Sequence, residues 1–387
     1  MNSVQRSYFD HNATTPLAPE VLETMVSCLG QVYGNASSIH YFGQAAKQRL
    51  EQARRELAQL IHANPTEMVF TGGGTEADNL AVLGAVRASA QADRHAITTA
   101  IEHPAVMAAC AQLEREGVAV TRLAVGSSGV VDPDDVRRAL RPDTVLISVM
   151  HANNELGTIQ PIAEISRIAR EAGVPLHADG VQALGKIRVD VNELGVDLYS
   201  LSAHKIYGPK GVGALYVRKG TRLAPVTFGG HHERDRRPGT ENVPAIAAFG
   251  AAAVLAGQRL DADAEHLAAL RDRLECAVLE RIHSAGVNGS RWKRTPNTAN
   301  LYFDGVDGEA MVIALDLRGF AVSTGAACSS GAITPSHVLT AIGLGSERAR
   351  ASLRFSLGRS NTAAQVDALV DALELSVAHL RRISVHA

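Results

Sequence analysis

Cysteine is scarce in this chain. Its 387 residues include four, Cys28, Cys110, Cys276 and Cys328, far apart and without a CxxC pair. That spacing excludes a zinc ribbon or a thioredoxin-like dithiol, and so few thiols suit a reducing compartment better than a disulfide framework; a cytoplasmic location is expected. Net charge is equally sparse. Lys and Arg number 38 against 40 Asp and Glu, a balance of −2, so neither a basic field for nucleic acid nor an acidic tail for a charged partner is expected. No run of about 18 or more apolar residues occurs, so no membrane span is expected. The start of the chain is polar and lacks the apolar segment of a secretion signal. Repeats and low-complexity tracts are absent. With 46% hydrophobic and 20% charged residues the composition is globular.

What is present is alternation. Strand-like runs at 67–71, 95–99, 118–123, 144–150, 174–178, 198–202 and 212–217 are separated by helical patterns at 76–87, 104–116, 133–140 and 162–172. This order predicts an α/β domain with a mostly parallel sheet, whose ligands collect at the carboxyl ends of strands. Beyond residue 259 the pattern changes to an amphipathic stretch, 260–283, then strand-like runs at 300–303 and 352–357 and a closing helix, 363–381. The expected division is a large domain, 16–255, and a smaller one made of 1–15 and 256–387, with the boundary between Gly250 and Leu260.

Several residues fall at the predicted strand ends. Lys205 closes one, in the tract Ser200-Leu-Ser-Ala-His-Lys205-Ile-Tyr-Gly-Pro-Lys210-Gly-Val-Gly213. An amine there can bind an aldehyde cofactor as a Schiff base, with Ser202 and His204 in reach of a phosphate, a combination that points to pyridoxal phosphate. Thr71-Gly-Gly-Gly-Thr75-Glu-Ala-Asp-Asn79 joins a strand to a helix start. It reads either as an anion site or as a tight turn. Asp179 suits a pyridine nitrogen or a helix cap. His103, in Glu102-His103-Pro104, suits a stacking, proton-carrying imidazole or a structural one. Asn154 and Gln182 suit the ring oxygen or a satisfied turn. Arg354 alternates with Leu353 and Phe355 on a strand, and reads as a carboxylate clamp or a surface salt bridge. The tract Ser323-Thr-Gly-Ala-Ala-Cys328-Ser-Ser-Gly-Ala332 has too little side chain to anchor itself, which suits a reactive thiol; the other three cysteines fit buried, inert positions.

Together these residues resemble the NifS/IscS-type cysteine desulfurases of the class V aminotransferases. The resemblance runs from Tyr8-Phe-Asp-His-Asn-Ala-Thr-Thr-Pro16 through Asn153-Asn-Glu155 and Arg237-Pro-Gly-Thr240 to the Cys328 tract. It implies a fold-type-I architecture, a large domain with a mostly parallel seven-stranded sheet and a smaller α+β C-terminal domain. It implies pyridoxal 5'-phosphate held by Lys205, with Gly74, Thr75, Ser202, Ala203 and His204 around its phosphate. Thr240 would reach the phosphate of the partner subunit in a homodimer. His103 would stack on the ring, Asp179 would pair with its nitrogen, and Asn154 and Gln182 would contact its oxygen side. Arg354, with Asn154, would bind the substrate. The implied reaction has Lys205 move the Cα proton of L-cysteine while the Cys328 thiolate takes the sulfur, giving L-alanine and a persulfide, with His103 a candidate to activate the thiol. The sulfur would pass to an acceptor protein such as an iron–sulfur scaffold. No resident metal is implied, at most a transient cluster contact through Cys328. Selenocysteine lyases and other class V lyases, epimerases and transaminases are the alternatives; the latter two reactions have no need of the thiol. This sequence departs from the family pattern at Ala36, Gly180 and His232, and the further C-terminal tail with which IscS-type members dock a scaffold is not expected.

Overall fold

In the computed structural model, residues 6–324 and 335–384 are described. The first part of the chain carries strand β1 (Ser7–Tyr8) and helices α1 (Pro19–Gln31) and α2 (Tyr41–Leu60). These two helices lie in a region where no strand–helix alternation is visible in the sequence. The alternating series follows: β2 (Met68–Thr71), α3 (Gly74–Arg87), β3 (His95–Thr99), α4 (Pro104–Arg115), β4 (Ala119–Leu123), α5 (Pro133–Ala139), β5 (Thr144–Ser148), α6 (Ile162–Glu171), β6 (Leu176–Asp179), α7 (Val191–Leu194), β7 (Leu198–Ser202) and β8 (Gly213–Val217). Then come α8 (Val243–Arg281), β9 (Ala285–Val287), β10 (Thr298–Phe303), α9 (Gly308–Leu317), β11 (Phe320–Ala321), α10 (His337–Ala341), α11 (Ser346–Arg350), β12 (Ser352–Ser356) and α12 (Ala363–Ser384).

The large sheet has seven strands in the order β2-β8-β7-β6-β5-β3-β4. Only β8 runs against the rest, pairing antiparallel with both β2 and β7. The other pairs are parallel. Six strands therefore end at the same edge. Every residue of β2, β3, β5, β6, β7 and β8 is buried, as a sheet covered on both faces requires. One face packs on α1, α2, α6 and α8 through residues such as Leu57, Ile147, Leu176 and Tyr199. The other packs on α3 and α4 through Leu80, Leu113, Leu146 and Leu215.

A separate apolar cluster joins Phe9, Leu274 and Val278 to Leu301, Phe303, Leu353, Phe355, Leu369 and Leu373. It lies where β12-β10-β9 form an antiparallel sheet against α8 and α12. Helix α8 serves both bodies. It runs unbroken for 39 residues through the 250–260 stretch, capped by the Asn242 side chain, which accepts from Ala245 N. This helix is long and apolar enough to cross a membrane, yet over half of its most apolar window is buried inside the protein, against α1 and α2. It is a core helix. Of the cysteines expected to be buried, Cys28 and Cys110 are; Cys276 is exposed on α8.

Candidate active site

The shared carboxyl edge of the sheet brings the site together. Asp179 ends β6, Ser202 ends β7, and Lys205 follows three residues later in a single helical turn. His103 follows β3 as the residue that starts α4, and Asn154 lies in the turn after β5. The β2–α3 connection supplies Gly74 and Thr75. There Gly73 sits at φ +155°, ψ −178°, a backbone region essentially restricted to glycine, and its backbone touches Gly213, where a Cβ would come within 2.6 Å. Gly74, Thr75, His103, Asn154, Asp179, Gln182, Ser202, His204, Lys205 and Arg354 line one cavity of about 400 Å³. A second space of about 660 Å³ continues from it past Gly72, Gly73 and Lys210. A larger cavity of about 810 Å³ opens elsewhere, beside Val145, Pro175 and Arg218, and contains none of these groups.

Lys205 Nζ donates to the carbonyls of Asn12 and Ala13 at 2.6 and 2.8 Å. Asp179 is 5% exposed and accepts from Val181 N at 2.9 Å. Burial pushes its carboxyl up, against the opposing pull of His103 and Lys205. Behind it, Asp78 and Glu102 are also buried. Desolvation raises both, Glu102 to about 8. His103 caps α4, its Nδ1 accepting from Ala105 N at 3.1 Å. The neutral ring then carries its proton on Nε2, and burial lowers its affinity for a second proton. His103 thus faces its surroundings as a donor, which disfavours it as the base that activates a thiol.

Arg354 is 2% exposed, so it is not a surface salt bridge. Both faces of β12 are buried. Its Nη2 donates to Asp10 Oδ1 at 2.6 Å and its Nη1 to the Asn154 carbonyl at 3.1 Å, while Nε has no partner among the described residues. Ala203 does not line the cavity. Its N–H donates to Val212 O and its carbonyl accepts from Gly208 N, so it supports the turn from behind. Thr240 is exposed and lines neither space of its own chain. Cys328 lies outside the described residues. The chain on either side of it is fastened to the cavity wall: Ser323 bridges the backbone of Arg354, and Ser336 Oγ donates to Glu155 Oε2 at 2.6 Å.

The motif reading missed Asp10, Asn12, Glu76 and Lys186. Asn12 is a hub. Its carbonyl accepts from Lys205 and Gln182, its Oδ1 from Lys186 and Asn297, and its Nδ2 donates to Thr298 and the Asn154 carbonyl. Glu76 accepts from Gly72 N and pairs with Arg237, tying the glycine turn to the segment that leads to Thr240. Asp10 and Asn12 stand within a quoted motif, but nothing in its spacing indicates partners about 140 to 340 residues away.

Comparison with known proteins places the chain in a family. The class-V aminotransferase family matches residues 7–369. A cysteine desulfurase IscS of Dictyoglomus turgidum is 48% identical over 377 residues, 97% of this chain and 96% of its own. A solved NifS-like protein superposes with a TM-score of 0.91 at 35% identity, covering 97% of this chain and all of its own. SspA, solved in complex with cysteine, gives 0.80 at 37% identity over 90% of this chain and 98% of its own. With a family match over most of its length and near-full-length relatives of this kind, the chain belongs to the class-V aminotransferases, in the NifS/IscS-type cysteine desulfurase group.

Proposed function

We propose that this protein is a pyridoxal-phosphate-dependent cysteine desulfurase that moves the sulfur of L-cysteine onto Cys328 and releases L-alanine. The observation that carries this reading is the convergence of Lys205, Asp179, His103 and Arg354 on one cavity. The residues present suit the cofactor. At one end, Gly74 at the start of α3 leaves space that a Cβ would lose against Val181 at 2.8 Å, and the buried Ser202 hydroxyl has no partner among the described residues; with Thr75 and His204 these suit a phosphate. At the other, a buried carboxylate, Asp179, suits a protonated ring nitrogen. When bound, the cofactor supplies an electron sink for the substrate Cα.

The chain's own groups do the rest. Lys205 would hold the cofactor, and its amine would move the proton at the substrate Cα. Asp179 would keep the cofactor's ring nitrogen protonated. Asn154 and Gln182 would offer N–H groups to the cofactor's oxygen side, and His103 would face its ring with Nε2–H. Arg354 Nε–H, without a partner among the described residues, is available to the substrate carboxylate. The Cys328 thiolate attacks the substrate sulfur. The S–S bond forms as the C–S bond breaks, and the electron pair stays with the carbon, which takes a proton to become the methyl group of alanine.

A homodimer completes the reading. Leu22, Val26 and Leu29 form an exposed apolar stripe on α1, continued by Tyr33, Ile39, Tyr41 and Phe42, a surface suited to a second copy. Thr240, exposed in its own subunit, would then serve the partner's phosphate. An acceptor protein such as an iron–sulfur scaffold would collect the persulfide sulfur. Mass spectrometry after L-cysteine treatment tests the central claim: one added sulfur is expected on the Cys328 peptide. Cys328→Ala is expected to keep the cofactor's absorption and lose sulfide release; a fully active variant would falsify the persulfide route.

A further inference from the structure

Lys186 is a buried amine that the reaction above leaves unused. It lies four residues after Gln182, in the turns that follow β6, and is 8% exposed. Its Nζ donates to Asn12 Oδ1 at 2.9 Å and to Gln182 Oε1. Among the described residues no carboxylate pairs with it. The charged groups that bear on it are Lys205 and Arg354, both cations, and His11 is also nearby. Burial and these cations hold the amine well below its ordinary value. A neutral amine has two N–H groups, and Lys186 has two acceptors.

The consequence falls on Gln182, which lines the cavity. Its Oε1 is taken by Lys186, and one Nε2 hydrogen goes to the Asn12 carbonyl at 2.9 Å. The amide is left with one N–H to donate. Without Lys186 the amide oxygen loses its donor and only the Asn12 carbonyl still orients the amide, so a flipped amide, its oxygen facing an acceptor in the cavity, costs less. We propose that Lys186 is a positioning residue, locking the Gln182 amide so that its remaining N–H meets the ring oxygen of bound pyridoxal phosphate. This rests on the cofactor reading above.

The test is a double-mutant cycle on cofactor binding, with apoprotein titrated by pyridoxal phosphate and followed by absorption. Methionine matches the aliphatic stem of lysine, and no buried charge is lost. Lys186→Met is expected to weaken binding up to about tenfold, the scale of one hydrogen bond, and to change the absorption spectrum of the bound cofactor. In a Gln182→Ala background the same change is expected to have little further effect, because its target is gone. Equal losses in both backgrounds, or no loss in either, would overturn the proposal. If Lys186→Met fails to fold, the same cycle is run with Lys186→Gln, which retains a donor and is expected to lose less than the Gln182→Ala change itself; a loss independent of Gln182 again overturns it. A wild-type protein that takes up no pyridoxal phosphate would sink the cofactor reading instead, which keeps the two failures apart.

Discussion

His103 has two tasks at one residue. Its Nδ1 caps α4 and its ring lines the cavity. The tasks separate under substitution. Asparagine is a good N-cap but has no ring N–H, so His103→Asn is expected to retain stability while turnover falls about 10²- to 10⁴-fold, the scale of losing a proton donor at the reacting groups. His103→Ala is expected to lose the same turnover and also about 1 kcal/mol of stability. Comparing urea midpoints with initial rates decides it; an asparagine variant with normal turnover would leave His103 a cap and nothing more. Gly180 shows a residue-scale departure with a physical reason. A Cβ there would lie 2.0 Å from the Tyr199 ring, whose hydroxyl bonds His151 Nδ1 at 2.7 Å. An alanine does not fit here because a buried tyrosine occupies the space its Cβ would need. The sequence reveals the glycine, while only the packing reveals the tyrosine that demands it.

Among the elements, the segment that carries Thr240 is the least regular and the most deliberately anchored. Glu233, Arg234 and Asp235 all adopt positive φ, between 46° and 63°, a conformation that costs non-glycine residues roughly 1–3 kcal/mol each. A buried ion pair holds it. Arg54 on α2 donates to both Glu233 oxygens at 2.8 and 2.7 Å, and Phe70 N donates to the same carboxylate at 2.9 Å. Glu233→Gln would take away the buried counter-charge of Arg54, leaving only the half-exposed Glu51 at 3.2 Å and the Met68 carbonyl, so a loss of about 3–5 kcal/mol is expected. A second change, Arg54→Met, is expected to recover part of it, since no unpaired charge then remains. Denaturant midpoints of the single and double variants check this; additive losses would mean that the pair does not act as a unit. Helix α8 illustrates the limits of periodicity at this scale. Its C-terminal half reads as amphipathic, with Leu267, Leu270, Leu274 and Val278 on one face. Its N-terminal half is alanine-rich and packs on two sides, so it shows no stripe to read.

For the whole molecule, the buried ionisable groups set the response to pH. Burial holds His151 at about 4 and His177 at about 3, below the ordinary 6.5. Their neutral forms are native, so their contribution is complete above pH 6.5 and is lost as pH falls through about 4 and then 3. Glu102 acts in the opposite sense. Burial raises it from 4.5 to about 8, so its contribution is complete below pH 4.5 and is lost as pH rises through about 8. Urea midpoints are therefore expected to fall on both flanks, with Glu102→Gln flattening the alkaline flank alone. An unchanged alkaline flank in that variant would place the proton elsewhere.

The sequence by itself determined the class of fold and the chemical inventory. Apolar strand runs between helical patterns fixed the series β2 to β8, because each element's period is local. Lys205, Asp179, His103 and the Gly73–Gly74 turn stood out because each follows a strand end, where ligands gather. The tertiary structure decided how those groups are held. Asn12 meets both lysines, Asp10 occupies one arm of Arg354, and Lys186 turns the Gln182 amide. These are contacts across hundreds of residues between polar groups removed from water. Such groups need partners wherever the chain happens to bring them, and no spacing within a motif encodes which partner that will be.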